Sequence, residues 1–209
     1  MSTLEKIAYY QGRRDEVPNQ LLAKELVGTK DKEGIKEIAK NLHNGNKNMR
    51  GDCLKVLYEI RYLEPALIAG YVDEFLELLS AKDNRLVWGA MIGLASIASL
   101  RPGEIWASID DVIRITESGT IITKVWGIRT LARVAAADPI YRYKIFPSLI
   151  HQIQTCIPRD MPTHAESIFC AVDRENKAEL LDVMESRCSE FTTAQSVRYK
   201  KVLKHFERI

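Results

Sequence analysis

The residue types that most often do chemistry are sparse in this chain, and their spacing argues against local sites. His151 and Cys156 stand five residues apart, His164 and Cys170 six, and Cys188 lies on a later segment. Zinc sites are usually assembled from close pairs such as Cys-x-x-Cys or His-x-x-x-His, because ligands one turn apart can point at one ion. Neither pair occurs, so Cys170 and Cys188 read as packed thiols on apolar helices. No metal and no other cofactor is expected. Nor is there a local Cys/His nucleophile motif or a glycine-rich loop to wrap a phosphate. Trp88 and Trp126 share a Val-Trp-Gly context, which marks them as parts of a repeated pattern and as core aromatics. Tyr141-Arg142-Tyr143-Lys144 interleaves rings and cations that could stack on bases. Four consecutive helical residues point round the whole circumference, however, so only half could reach one ligand.

Composition narrows the classes further. The 209 residues carry 30 Lys+Arg against 28 Asp+Glu, a formal charge of +2, which removes any general electrostatic case for nucleic acid or an anionic membrane. A hydrophobic fraction of 46% is globular and excludes a disordered chain. Glycine and proline are scarce, which favours helix. Four cysteines are too few for a disulfide scaffold and fit a reducing compartment. The first residues lack the apolar stretch of a secretory signal, so a cytoplasmic location is expected. One long apolar run, Leu86 to Leu100, is broken by Ser96 and Ser99 and is shorter than the roughly 20 residues a bilayer demands. It reads as a helix buried on most sides.

The elements that must carry these residues repeat. Pro65, Pro102 and Pro139 recur at intervals of 37 residues, each after a charged residue. Leu57, Leu94 and Leu131 keep the same interval, as do Ile60, Ile97 and Val134. Further columns are Ile35, Val72, Ile109, Phe146 and Val183; Ile38, Phe75, Val112 and Leu149; and Leu42, Leu79, Thr116 and Ile153. Within a unit, Leu54, Leu57, Tyr58 and Ile60 make one face of a first helix, and Ile68, Val72, Phe75, Leu76 and Leu79 one face of a second. Proline ends the first and seats at the start of the second. Polar turns such as His43-Asn44-Gly45-Asn46 separate units. Two such helices cannot bury both apolar faces alone, so the units must stack. The fold class expected is an all-α, right-handed α-α superhelix of about five helix pairs, in one domain spanning 1–209. Ser2-Thr3-Leu4-Glu5 reads as a capping box opening a first helix. A capping helix over 191–208 would place Val197, Val202, Leu203 and Phe206 inward and Arg198, Lys201, Lys204 and Arg208 outward.

Tyr71 to Ala90 resembles the HEAT repeat of the armadillo-type helical repeat family, with an apolar helix, an Asp-containing turn, then Val87-Trp88 and Ala90. Met49-Arg50 keeps that family's apolar–Arg pair, whereas Val87-Trp88 and Val125-Trp126 replace the Arg. The resemblance, from about Pro18 to Cys188, implies a binding scaffold more than an enzyme. A fainter resemblance runs through Trp106-Ala-Ser-Ile-Asp110 and Trp126-Gly-Ile-Arg129 to HEAT-like DNA alkylation-repair glycosylases. It implies an alternative role in DNA binding or base excision through Trp106, Asp110 and Arg129. The second Arg of that family's stretch is Ile128 here.

In HEAT-like solenoids the second helices are expected to line the concave face. Their non-core positions are Lys36, Glu37 and Lys40, then Asp73, Glu74 and Glu77, then Asp110, Asp111 and Arg114, a locally acidic set. Phosphates should be repelled there, and a basic peptide or protein segment fits better. The reading is a non-enzymatic cytoplasmic scaffold for another protein. Asp73, Glu74, Glu77, Asp110, Asp111 and Arg114 would be the charge partners and Trp106 the apolar anchor, with nucleic acid disfavoured and no membrane involved.

Overall fold

A computed structural model describes residues 2–206, and every regular element among them is helical. Twelve α-helices follow in order: α1 (Val17–Thr29), α2 (Lys32–Lys40), α3 (Lys47–Ile60), α4 (Val72–Leu78), α5 (Asn84–Ile97), α6 (Pro102–Trp106), α7 (Ile109–Ser118), α8 (Ile121–Ala137), α9 (Pro139–Thr155), α10 (Met161–Ile168), α11 (Lys177–Ser186) and α12 (Thr193–Phe206). They stack in two layers. Helices α1, α3, α5, α8, α10 and α12 lie side by side in one, and α2, α4, α7, α9 and α11 form the other. This is an all-α solenoid. Among the described residues no helix is long and apolar enough to cross a membrane.

Short polar side chains start the helices, as unsatisfied first-turn N–H groups require. Asp31 accepts from the Gly34 N–H, Asn46 from Asn48 and Met49, Asp83 from Arg85, and Asp138 from Ile140. Gly45, at φ 86°, makes the left-handed turn into Asn46 that a side chain would strain. The three periodic prolines each sit at a helix start, but the second helices are not continuous as expected. Pro65 opens a 3-10 segment, Pro65–Tyr71, before α4, and Pro102 opens the short α6, which ends two residues before α7. The breaks let Ile68 and Ile105 reach the core in addition to Val72 and Ile109. Only α9 runs through, and it carries Pro147 inside. The carbonyl that Pro147 leaves unpaired is that of Tyr143, whose side chain is well exposed, so water can reach that turn.

The apolar columns form the core. Leu57, Leu94 and Leu131 are fully buried, as are Ile60, Ile97 and Val134. Every member of the other columns is buried too, except Val183, which is half-buried. Thr116 stands where Leu42, Leu79 and Ile153 stand in other units. Its hydroxyl donates to the Val112 carbonyl at 2.7 Å, which satisfies it in an apolar setting. Space is the reason for the smaller residue: a Cβ on Gly127 of α8 would lie 2.1 Å from the Thr116 Oγ1.

The ends depart from expectation in detail. Ser2 does accept from the Leu4 N–H, at 3.2 Å, but the element it opens is one 3-10 turn, Thr3–Lys6, not an α-helix. The Ser2 hydroxyl and the Thr3 N–H are both held by Glu37 of α2. At the other end α12 buries Tyr199, Val202 and Phe206, while Val197, expected inward, is exposed. Residues 207 and 208 of the expected cap, Arg208 among them, lie outside the described residues.

Candidate functional site

One contact tells which layer faces inward. Arg61 follows the last residue of α3, and Trp126 lies on α8, with α5 packed between those two helices. The Arg61 guanidinium nevertheless sits 4.2 Å from the Trp126 ring centroid. Side chains from helices two places apart can meet over the intervening one only where the layer curves towards them. The same layer is in close contact along its length, whereas neighbours in the other layer touch lightly, as the outside of a bend requires. The helices α3, α5 and α8 therefore line the inner surface, and the expectation that the second helices do so is corrected.

Both tryptophans of the inner layer are half-buried, and the motif of Trp126 is shifted by one residue against the core columns relative to that of Trp88. The Val-Trp-Gly tripeptides recur at 38 residues, whereas the apolar columns recur at 37. One residue on a helix is about 100° of rotation. Gly89 accordingly faces Leu54 of α3, while Gly127 faces Thr116 of α7. Trp88 packs beside Tyr58, with centroids 6.1 Å apart, and Trp126 is left half-buried between two arginines. Arg61 stacks on it at 4.2 Å and Arg129 at 4.4 Å. The sequence reading took both tryptophans for core; the one-residue difference in interval was the available signal.

Charge on the inner face is divided along its length. Near the N-terminal end, buried Lys55 bridges Glu16 and Glu59, each at 2.7 Å. Burial alone would depress the Lys55 pKa, but the two carboxylates outweigh it and hold the ammonium well above its usual range. Asp52, also buried, accepts from the Tyr9 N–H at 2.9 Å and pairs with Arg85 at 3.3 Å. Further along stand Arg61, Arg129 and Arg133, and among the described residues none has a carboxylate partner within 4.0 Å. Arg129 donates to the Ser167 hydroxyl at 3.4 Å, and Arg133 donates to the Ala95 carbonyl. Among the described residues the buried Arg61 Nε has no acceptor, while Nη2 of the same guanidinium donates to the Tyr62 hydroxyl. Burial lowers the pKa of Arg61 and of Arg129, and a neighbouring guanidinium lowers each further: Arg129 acts on Arg61, and Arg133 on Arg129. A hollow of about 360 Å³ adjoins them, lined by Arg129, Arg133, Thr163, Glu166, Ser167 and Phe169 among others.

The residues expected to bind lie on the other layer. Asp73, Glu74 and Glu77 are on α4, where Glu77 approaches His43 at 3.6 Å. On α7, Asp111 pairs with Arg114 at 2.5 Å, and Asp110 with Lys144 of α9 at 2.7 Å. Trp106 is half-buried and stacks on Tyr141 with centroids 4.2 Å apart, so an aromatic neighbour already covers one face. Trp106, Asp110 and Lys144 share a hollow of about 440 Å³, but Arg129 is not among its walls. Arg129 lies with Trp126 on the inner layer, so the three residues of the base-excision reading do not converge. Of the Tyr141–Lys144 cluster, Tyr143 is exposed and Arg142 is tied to Asp173.

No protein-family model matches the sequence, and no curated protein gives a significant match. Solved structures do. An engineered protein superposes with a TM-score of 0.66 at 16% identity, over 100% of this chain and 98% of its own. A designed armadillo repeat protein in complex with the peptide (KR)4 gives 0.66 at 14% identity, over 92% and 95%. Computationally designed armadillo repeat proteins for modular peptide recognition give 0.63 at 14%, over 98% of each. The fold is thus that of the armadillo- and HEAT-like helical repeats. At these identities the likeness speaks for the fold alone, and the glycosylase resemblance finds no support.

Proposed function

We propose that this protein is a repeat scaffold that holds an extended segment of another protein along the inner face made by α3, α5, α8 and α10. The contact of Arg61 with Trp126 across α5 carries the reading, because it marks a concave strip on which aromatic and charged side chains of successive units stand together. Such a strip is long and open, which suits an extended chain better than a small enclosed substrate. Two of the similar folds are described as peptide complexes or peptide-recognition designs, and that use of the fold supports the reading. Half-buried aromatics and arginines are the residue types that anchor such interfaces.

Affinity capture from the native cell extract tests it, comparing the protein with a Trp126→Ala variant and with an outer-face variant carrying Asp73→Lys and Asp110→Lys. Loss of the same partner from Trp126→Ala, with retention by the outer-face variant, is the expected outcome. The reverse pattern would move the binding face to the acidic ridge of α4 and α7, and with it the basic-segment partner that the sequence suggests.

A further inference from the structure

We propose that Arg61, Arg129 and Arg133, gathered about Trp126, form the docking point for an acidic peptide segment of the partner. This deepens the scaffold reading and rests on it. The first ground is the cost of leaving these cations as they are. Arg85, Arg142 and Arg187 are comparably buried, and each has a carboxylate: Asp52 at 3.3 Å, Asp173, and Glu190 at 2.6 Å. Arg61, Arg129 and Arg133 have none among the described residues, although all three are half-buried and Arg61 and Arg129 each feel a neighbouring guanidinium. Like charges held together without a counterion disfavour the folded state. An incoming carboxylate removes that cost, so part of the binding free energy is already stored in the free protein.

Geometry is the second ground. A guanidinium stacked on a ring uses its π face and keeps its N–H edge free. Arg61 and Arg129 lie over the Trp126 ring at 4.2 and 4.4 Å, and although Arg61 also donates to the Tyr62 hydroxyl and Arg129 to that of Ser167, each guanidinium keeps further N–H groups for a carboxylate. The adjoining hollow supplies Thr163 and Ser167 hydroxyls and the Phe169 ring, room for the peptide's uncharged side chains. Charge elsewhere on the face selects a short acidic segment over a nucleic acid. Beyond these arginines the cations of the face are already paired, Lys55 with Glu16 and Glu59, Arg85 with Asp52 and Arg198 with Glu166, so a polyanion running along the strip would find no further unpaired cation among them. This preference is opposite in sign to the (KR)4 peptide held by the designed relative.

Selection from a displayed random library of short peptides, followed by binding measurements on the enriched sequences, tests the proposal. Enrichment of Asp- and Glu-containing peptides is expected, with affinity falling as salt rises. Arg61→Gln and Arg129→Gln should each weaken them about tenfold, and Asp73→Asn should leave them unchanged. Arg129→Lys keeps the charge but loses the planar fork, so it should weaken binding even if the Gln variant fails to fold. Enrichment of basic or uncharged peptides whose binding still depends on Trp126 would overturn the acidic assignment and leave the scaffold standing. A single-stranded oligonucleotide that binds more tightly than the acidic peptides would overturn the peptide class. No enrichment of any peptide would overturn both readings.

Discussion

His164 is a buried histidine whose two ring nitrogens make no well-aligned hydrogen bond among the described residues. Burial is the main cause holding its pKa below the usual value, with Lys124 and Arg129 adding to it and Asp160 and the nearby Gln152 backbone opposing. In the unfolded chain the ring protonates near pH 6.5, whereas in the fold it stays neutral to a lower pH. Stability is therefore full above about pH 6.5 and falls as the pH drops towards the native value, at up to about 1.4 kcal/mol per pH unit. Denaturant unfolding between pH 7.5 and 5 should show that slope, and His164→Leu should remove most of this residue's share. An unchanged slope in the variant would assign the pH dependence to other groups. The cysteines make a second contrast. Cys53 is fully buried, and burial, with Asp52 beside it, pushes its thiol up to about 12. Cys170 is exposed. Brief alkylation of the native protein should label Cys170 and spare Cys53, and peptide mass mapping reads the outcome directly.

At the scale of elements, the closeness of α7 and α8 depends on the absence of a Cβ at residue 127. Gly127→Ala would gain about 1 kcal/mol of helix propensity but would drive a methyl group into Thr116, whose own hydroxyl is tied to Val112. The clash should win, for a net loss of about 1–2 kcal/mol. Thr116→Ala in the same chain should recover part of it, because Oγ1 and Cγ2 are gone while the Thr116 Cβ, 2.8 Å away, remains. If the double variant is no more stable than Gly127→Ala alone, the contact is not what sets the spacing. Leu94 sits in the middle of the stack on α5, and Leu94→Ala should cost about 2–5 kcal/mol in urea unfolding.

Over the whole molecule, the N-terminal segment is held on by polar links to the inner layer. Asp52 takes the Tyr9 N–H and Arg85, and Glu16 takes Lys55. Asp52→Ala removes the acceptor of the part-buried Tyr9 N–H and the carboxylate partner of Arg85, a loss of about 1 kcal/mol. In a solenoid whose units contact only their neighbours, that loss should stay local. Hydrogen exchange should quicken over residues 7–16 and in the first turns of α3, and remain as before in α9 and α10. Uniform loss of protection would show a more cooperative molecule than the stack suggests.

The division between what sequence and fold each decided follows from the range of the forces involved. The helical layers and their core were legible in advance because burial repeats. A leucine removed from water at 57 must be matched at 94 and 131 for the units to stack, so Leu57, Leu94 and Leu131 announce the fold in one dimension. Turns and proline-marked helix starts were legible for the same reason, being set by neighbours in the chain. The breaks near Tyr71 and Ala107 were not, since the periodicity of apolar residues runs straight through them. The inner face lay further out of reach. Which layer is concave depends on how closely successive helices of one layer approach, as at Gly89 against Leu54, a contact between elements rather than along one. Asp110 looked free until Lys144 was brought to it, and Trp126 looked like core until the bend carried Arg61 across α5. Side-chain charge is written in the sequence, but much of its neutralisation is not, because counterions such as Glu16 for Lys55, Asp52 for Arg85 and Lys144 for Asp110 come from residues thirty or more positions away that only the tertiary structure makes neighbours.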